Sequence, residues 1–91
     1  MMAEVVIYGT GACFYCTRAR RLLDHKGVSY TDIRIDRERD RRAEMEARSG
    51  GAYTVPQIFI GGTHVGGYDE MAALDRAGKL DALLEPDRPG A

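Results

Sequence analysis

Apolar and polar positions divide the first part of the chain into strand, helix and strand. Residues 4–8 form a mostly apolar, β-branched run before a glycine, which predicts a short buried strand. Residues 13–26 carry apolar side chains at helical spacing with arginines between them, so a helix is expected there. Gly27 then stands where a left-handed glycine commonly ends a helix. Residues 28–35 alternate with one change of phase, which predicts a second strand that contains a bulge.

A highly charged segment follows at residues 36–49. Its few apolar positions predict a helix at the surface, since a charge run of this kind is usually a solvated helix face. Glu38 with Arg42, and Glu44 with Arg48, have the i,i+4 order that stabilises such a helix.

The rest of the chain predicts a hairpin followed by helices. Gly61 and Gly62 form a typical two-residue turn between two strand-like runs, and Gly78 interrupts the helical pattern that follows. The predicted elements are strands at residues 57–60 and 63–66, a helix at 68–77, a last helical turn at 80–84 and a flexible tail at 85–91.

The resulting order is βαβ followed by ββα. Strands joined through a helix are expected to be parallel, whereas a tight hairpin is antiparallel. A four-stranded mixed β-sheet flanked by helices satisfies both conditions, and this is the thioredoxin-like fold of the α/β class. The chain of 91 residues is long enough for one domain, which we expect to span residues 1–84.

Composition and charge narrow the classes of function. The net charge is −1 with acidic and basic residues intermixed, so no strong field is available to attract nucleic acid or an anionic membrane. No apolar stretch is as long as a membrane span or the core of a secretory signal. We therefore expect a cytoplasmic protein, in which paired cysteines are more often catalytic or metal-binding than structural.

Cys13 and Cys16 are the only cysteines, and they stand where the first predicted strand gives way to the first helix. The thiolate is the nucleophile in disulfide exchange, and free N–H groups at a helix N-terminus stabilise it. Cys13 is therefore the expected nucleophile, with Cys16, one turn further into the helix, as the less exposed resolving thiol. A structural disulfide and half of a zinc site are the alternatives. For zinc, only His25 and His64 are obvious additional ligands, and neither has a recognised spacing.

Two further motifs leave alternatives open. Pro56, which precedes the third strand, is either an ordinary strand start or a cis residue beside an extended ligand. Gly66 and Gly67 allow close approach to the backbone before the next helix. Asp69 either caps that helix or binds an ammonium group of a ligand.

Together these motifs resemble those of the glutaredoxins, most closely the small bacterial dithiol kind. The resemblance extends from the first strand to about residue 84, and the matching residues are Cys13-x-Tyr15-Cys16, Thr54-Val55-Pro56-Gln57-Ile58-Phe59-Ile60 and Gly66-Gly67-Tyr68-Asp69. It implies glutathione-dependent reduction of protein disulfides and of protein–glutathione mixed disulfides. By this resemblance Cys13 attacks the glutathionyl sulfur, and Cys16 can close a disulfide that glutathione later reduces.

The resemblance also implies a glutathione groove and a cis bond before Pro56. Thr54 and Val55 would pair through their backbones with the cysteine of glutathione, and Tyr15 would form a wall. The backbone around Tyr68 and the carboxylate of Asp69 would hold the γ-glutamyl end. The implied glutathione-binding residues are Tyr15, Thr54, Val55, Pro56, Gly67, Tyr68 and Asp69.

The chain departs from the family pattern at three places. Phe14 stands where the family commonly has proline, and the bulky Tyr68 stands where cysteine or serine is common. The loop before Cys13 also lacks the usual lysine, which in the family is a cation beside the thiolate and an anchor for the glycyl carboxylate of glutathione. Arg42 and Arg48 are the candidates to replace it.

Two other functions remain open. Relatives without the proline can hold a [2Fe–2S] cluster between two chains through the first cysteine and glutathione, which Phe14 permits. The other is electron donation to ribonucleotide reductase with thioredoxin reductase as the supplier, which the glutathione-type motif around Asp69 disfavours. The expected partners are glutathione and disulfide-bearing or glutathionylated proteins, without nucleic acid or membrane. We expect a monomer with no metal ion bound by the protein alone.

Overall fold

The structure, a computed structural model, describes residues 2–86, which fold around one mixed four-stranded sheet. β1 (Val5–Gly9) is parallel to β2 (Thr31–Arg34) on one side and antiparallel to β3 (Gln57–Ile60) on the other. β4 (Thr63–Gly66) pairs with β3, which gives the strand order β2-β1-β3-β4. The predicted βαβ and ββα units and their mixed sheet are confirmed.

Helices cover both faces of this sheet. They are α1 (Phe14–His25), α2 (Arg41–Arg48), α3 (Tyr68–Arg76) and α4 (Leu80–Leu84). In β1, Val5 and Ile7 pack in the same core cluster as residues of α1, α3 and α4, whereas Val6 and Tyr8 pack on the opposite face with Met45 of α2. Met45 is wholly buried. Although α2 is highly charged, burying this side chain stabilises its attachment by about 2 kcal/mol.

The predicted strand over residues 28–35 is too long, and it contains no bulge within its paired part. Gly27 ends α1 with φ +71°, and the N–H of Val28 bonds to the carbonyl of Leu23. Val28 therefore belongs to the capping structure that terminates α1, where it also packs with Leu23. The change of phase marks the point at which side chains pass from one face of the sheet to the other.

The predicted helix over residues 36–49 is wrong in its first part, because α2 begins only at Arg41. The carboxylate of Asp36 accepts hydrogen bonds from the Gly11 N–H at 3.1 Å and from Arg34 at 2.7 Å. These contacts hold the start of the segment in a turn beside the loop that precedes α1.

The predicted i,i+4 ion pairs are also replaced. Glu38 and Glu44 both pair with Arg41, at i,i+3 spacing and distances of 3.7 and 3.0 Å. Arg42 and Arg48, the expected partners, are engaged elsewhere.

The phenol of Tyr8, in β1, connects the sheet to α2 through hydrogen bonds. Tyr8 donates a hydrogen bond to the Glu44 carboxylate and accepts one from Arg48 at 2.9 Å. The guanidinium of Arg48 also lies 4.4 Å from the centroid of the Phe59 ring. Hydrogen bonds from Arg41 and then Tyr8 hold the pKa of Glu44 below its ordinary value.

The last helix ends where the sequence pattern predicted, within the residues that the structure describes. α4 ends at Leu84, while residues 87–91 of the predicted tail lie outside the described residues, so the division at residue 84 stays a prediction. Within residues 2–86 no helix is both long enough and apolar enough to cross a membrane.

Candidate active site

Cys13 is the N-cap residue of α1, as expected. Its backbone is extended, and its Sγ accepts a hydrogen bond from the N–H of Cys16 at 3.3 Å. The thiol thus occupies the position that a serine or aspartate oxygen takes at other helix starts. The sulfur therefore lies at the positive end of the α1 helix dipole. The Cys13 thiol also lies 3.8 Å from the Val55 carbonyl oxygen.

Cys16 has a different environment from Cys13, because it is fully buried while Cys13 is partly exposed. Burial, with a hydrogen bond to the Cys13 side chain as the second cause, raises the pKa of Cys16 to about 12. Cys16 is therefore a protonated thiol at neutral pH. Gly9 of β1 makes room for it, since a Cβ at that position would lie 2.9 Å from the Cys16 sulfur.

A cavity of about 350 Å³, here called the first cavity, opens where the starts of α1, β3 and α3 meet. Val55 lines it and is the residue whose carbonyl faces the Cys13 thiol. The peptide bond between Val55 and Pro56 is cis, as the family resemblance implied. All the predicted glutathione-binding residues line this cavity: Tyr15, Thr54, Val55, Pro56, Gly67, Tyr68 and Asp69.

Glu70, rather than Asp69, caps the start of α3. Its carboxylate accepts a hydrogen bond from the Gly67 N–H at 2.7 Å. Asp69 is exposed, lines the first cavity and has no hydrogen bond or ion pair with the described residues. Of the two roles considered for Asp69, capping is therefore not observed, and the carboxylate is available to a ligand.

Gln57 supports the wall of the first cavity from within. This side chain is 4% exposed, and its Nε2 donates to the Thr54 carbonyl at 3.0 Å. Its Oε1 lies 2.6 Å from Nε2 of His64, which stacks on the ring of Phe59. Because the amide N–H group is used by Thr54, Oε1 must accept from His64. Sequence reasoning considered His64 only as a possible zinc ligand and did not connect it with Gln57, although a polar side chain in the otherwise apolar β3 was a usable signal.

The loop before Cys13 is covered by an arginine from β2. The Arg34 guanidinium lies over Gly11 so closely that a Cβ there would be 2.0 Å from it. Arg42 and Arg48, the suggested anchors for a glycyl carboxylate, do not line the first cavity. The fold therefore brings Arg34 to this loop, where its guanidinium pairs with Asp36 at 2.7 Å, and the sequence pattern did not identify this arrangement.

Two departures from the family pattern meet at the surface. The guanidinium carbon of Arg18 lies 4.7 Å from the ring centroid of Phe14 and 5.9 Å from that of Tyr68. Tyr15 connects the two aromatic rings, at centroid distances of 6.0 Å to Phe14 and 6.4 Å to Tyr68. We call Phe14, Tyr15 and Tyr68 the aromatic ridge.

A dithiol at the N-terminus of the first helix, beside a cis-proline loop on a four-stranded mixed sheet, defines the class of thioredoxin-like redox proteins. Comparison with known proteins gives the family. A family profile described as Glutaredoxin matches residues 5–65. The chain is 58% identical to a glutaredoxin of Pseudomonas aeruginosa over 83 residues, which cover 91% of this chain and 98% of that protein.

Two further relatives agree with this match. Identity to glutaredoxin 3 of Escherichia coli strain K12 is 51% over 84 residues, which cover 92% of this chain and 100% of that protein. The crystal structure of a buckwheat glutaredoxin–glutathione complex superposes with a TM-score of 0.84 at 36% identity, covering 92% of this chain and 78% of that one. The chain belongs to the glutaredoxin family of thioredoxin-like oxidoreductases.

Proposed function

We propose that this glutaredoxin-family protein uses glutathione to reduce protein disulfides and protein–glutathione mixed disulfides. Cys13 is the nucleophile and Cys16 the resolving thiol. The observation that carries this proposal is the first cavity, whose Val55 carbonyl lies 3.8 Å from the Cys13 sulfur. The cavity combines backbone from before β3 with a carboxylate at the start of α3, which suits a short extended peptide that bears an ammonium group.

The backbone of the first cavity supports binding of an extended tripeptide. Val55 precedes Gln57, the first residue of β3, so its peptide groups lie outside the strand pairing of the sheet. An extended ligand can therefore pair with this segment as an added strand would. The hydrogen bond from Gln57 to Thr54 helps to hold the segment in place.

Charge supports the orientation of glutathione in the first cavity. Asp69 lines the cavity as an exposed carboxylate without a partner in the described part of the chain. It can accept charge-assisted hydrogen bonds from the ammonium group of the γ-glutamyl residue, which are worth about 1.5–3 kcal/mol. The buckwheat relative, solved as a glutathione complex, supports the same ligand here.

The first half-reaction exchanges one disulfide for another. The Cys13 thiolate attacks the glutathionyl sulfur of a mixed disulfide, and a bond forms between these two sulfurs. The bond between glutathione and the target sulfur breaks, so that the target leaves as a thiolate and takes a proton from water. A second glutathione thiolate then attacks the sulfur of the bound glutathione, which releases oxidised glutathione and restores the Cys13 thiolate.

Cys16 acts in the alternative second half-reaction, after its thiol has lost its proton. Its sulfur then attacks the sulfur of Cys13, the bound partner leaves as a thiolate, and a disulfide closes between the two cysteines. Two glutathione molecules reduce that disulfide and become one molecule of oxidised glutathione. Because the pKa of Cys16 is near 12, the buried thiol does not compete with Cys13 for the first attack.

The choice of reductant tests this proposal. The oxidised protein is given glutathione with glutathione reductase in one reaction, and thioredoxin reductase alone in another, with NADPH consumption as the readout. We expect about one NADPH to be consumed per oxidised protein with glutathione, and little or none with thioredoxin reductase. Turnover with thioredoxin reductase alone would favour the role as an electron donor to ribonucleotide reductase instead.

The [2Fe–2S] role stays a prediction of the sequence. Among residues 2–86, no group of three or more His, Cys, Asp or Glu is arranged to hold a metal ion within one chain. A shared cluster would take Cys13 as its ligand from each chain, since Cys16 is fully buried, and Phe14 would stand directly beside it. A brown chromophore with dimerisation after anaerobic reconstitution would favour this role. The monomeric state and the cytoplasmic location also stay predictions.

A further inference from the structure

A second cavity, of about 410 Å³, is lined by Cys13 itself and shares no lining residue with the first cavity. It is built from one stretch of chain, the end of the loop before α1 and the first turns of that helix. Its lining residues are Ala12, Cys13, Phe14, Thr17, Arg18 and Arg21. Because none of them belongs to a strand, the second cavity lacks the strand-edge backbone that an extended peptide pairs with.

The ionisable side chains that line the second cavity, apart from Cys13 itself, are basic. Arg18 and Arg21 have no carboxylate within ion-pair distance among residues 2–86, whereas Arg20 of the same helix pairs with Asp32 at 3.1 Å. No acidic residue of the described chain lines this cavity. Guanidinium groups without a counter-ion attract carboxylates and can bind them with two parallel hydrogen bonds.

The aromatic ridge borders the second cavity and its basic side chains. Phe14 lines the second cavity, Tyr15 and Tyr68 line the first, and contacts between their rings join the two cavities. Phe14 is 65% exposed and Tyr15 is 51% exposed. Large exposed aromatic side chains beside a reactive group are typical of a surface that binds another protein.

We propose that the second cavity binds acidic residues that flank the reactive cysteine of a protein substrate, while apolar atoms of the same segment lie against Phe14. This inference rests on the proposed function, since it requires Cys13 to exchange disulfides. The Cys13 thiolate attacks one sulfur of the target disulfide, that disulfide breaks, and the other sulfur leaves as a thiolate. The target cysteine is then bonded to Cys13, which itself lines the cavity. Each extended residue adds about 3.3–3.6 Å of reach, so residues close to the target cysteine can enter the cavity.

Glutathione also carries carboxylates, but its chemistry fits the first cavity better. Its ammonium group requires a carboxylate, which Asp69 provides in the first cavity and no described residue provides in the second. A protein segment with acidic side chains needs only cations and an apolar contact. The second cavity supplies both through Arg18, Arg21 and Phe14.

A peptide-capture assay on the full chain tests the proposal. The background is Cys16→Ser, so that the captured peptide remains attached. Peptides of equal length carry one cysteine activated as a 2-pyridyl disulfide, flanked either by acidic or by basic residues. Cys13 attacks the peptide sulfur, and pyridine-2-thione leaves with the electron pair of the broken bond and then takes a proton. Its absorbance gives the capture rate.

We expect the acidic peptide to be captured about tenfold faster than the basic peptide at low ionic strength, and the difference to shrink as salt is added. Arg18→Gln and Arg21→Gln should each slow capture of the acidic peptide about threefold, as expected for an exposed ion pair. The double charge reversal, Arg18→Glu with Arg21→Glu, should invert the preference. Arg39→Gln is the matched control, because it removes the same charge from an exposed residue that lines neither cavity.

Equal capture of acidic and basic peptides, or equal losses in the Arg18 and Arg39 variants, would overturn the proposal. The double variant Arg18→Gln with Arg21→Gln provides a further test. An unchanged capture rate together with a raised KM for glutathione would overturn the proposal, because the second cavity would then bind glutathione. Self-association of the wild type that the charge reversal abolishes would assign the surface to a second copy. The capture assay contains no glutathione, so a failure of glutathione turnover would contradict the proposed function without altering this result.

Discussion

The first cavity approaches the Cys13 sulfur through the Val55 carbonyl, the second is lined by Cys13 itself, and the two are constructed in different ways. The first draws on three separated parts of the sequence, and Gln57 holds part of its wall through a hydrogen bond to Thr54. The second is formed by consecutive turns of one helix and by exposed side chains such as Arg18. Most residues of the family motifs line the first cavity, although Cys13 lines the second. Of the departures from those motifs, Tyr68 lines the first cavity and Phe14 the second. Under the two proposals, binding of the reductant and choice of target reside on separate surfaces.

Of the substitutions that test the difference between the two cavities, Asp69→Asn should have the largest effect. Asp69→Asn keeps the shape of the side chain but removes the carboxylate proposed to hold the ammonium group of glutathione. We expect kcat/KM for glutathione to fall about 10- to 100-fold, since the contribution of a hydrogen bond to a charged group is about 1.5–3 kcal/mol. Steady-state kinetics with glutathione reductase measures this change.

Capture of the activated acidic peptide should be unchanged in Asp69→Asn, because Asp69 does not line the second cavity. A parallel loss in both assays would mean that the two cavities do not act separately.

Gly66→Ala should weaken the first cavity through its backbone. Gly66 has φ +109°, and a Cβ there would lie 2.9 Å from the carboxylate of Glu70, which caps α3. We expect the free energy of unfolding to fall by about 1–3 kcal/mol, with a raised KM for glutathione. Urea denaturation and steady-state kinetics measure the two effects.

Gly27→Ala tests backbone strain alone, without a contact like that between a Cβ at Gly66 and the Glu70 carboxylate. Gly27 has φ +71°, a Cβ added to it would meet no atom within 4 Å, and it lines neither cavity. The substitution should lower stability by about 1 kcal/mol without changing the KM for glutathione. If both variants altered the KM equally, the first cavity would be sensitive to general destabilisation and not to its own geometry.

Glu44→Gln, in α2 on the face of the sheet where Tyr8 packs, should affect neither cavity. Glu44 bonds Arg41 and Tyr8, and its pKa is lowered, so its contribution to stability is fully present above the ordinary carboxyl pKa. That contribution is lost as the pH falls through the lowered pKa. Glu44→Gln should therefore reduce stability by less than about 1 kcal/mol at neutral pH and flatten the acid limb of the stability curve, since the side chain is partly exposed.

Chemical denaturation between neutral and acid pH measures the effect of Glu44→Gln. Turnover with glutathione and peptide capture serve as the controls and should stay at wild-type values. A stability difference that grew as the pH was lowered would contradict the assigned direction of the Glu44 pKa.

Phe14→Pro should change the redox potential of the dithiol only slightly. Phe14 is the first residue of α1, a position that accepts proline, but the exchange deletes an N–H group near the Cys13 sulfur. Because the hydrogen bond to that sulfur comes from the Cys16 N–H, we expect the wild type to be more reducing by less than about 20 mV, which corresponds to less than one hydrogen bond. Equilibration with glutathione redox buffers measures the potential. A wild-type potential equal to or higher than that of the variant would contradict this expectation.

The sequence predicted the sheet from local signals, whereas the residues of the first cavity were predicted from the resemblance to the glutaredoxins. The glycine turn before Thr63 and the position of Cys13 before a helical pattern are examples of such local signals. The late start of α2 was not predictable, because it depends on a hydrogen bond between Asp36 and the distant Gly11.

Contacts between distant side chains account for the other differences. Capping of α3 by Glu70 follows from the rotamer that brings its carboxylate to Gly67, and Asp69 offers a carboxylate in the same helical turn. The contact of Arg18 with both Phe14 and Tyr68 requires that α1 and α3 be adjacent, which no local pattern specifies. The second cavity was therefore visible only in the folded chain.

The central claim is that Cys13 and Cys16 perform unequal tasks with glutathione as the reductant. The most direct test is reduction of a small glutathione mixed disulfide by the wild type, Cys13→Ser and Cys16→Ser, under identical conditions. We predict that Cys13→Ser is inactive and that Cys16→Ser retains this activity, because the attack and the return step both use Cys13. Retention of activity in Cys13→Ser would contradict the account.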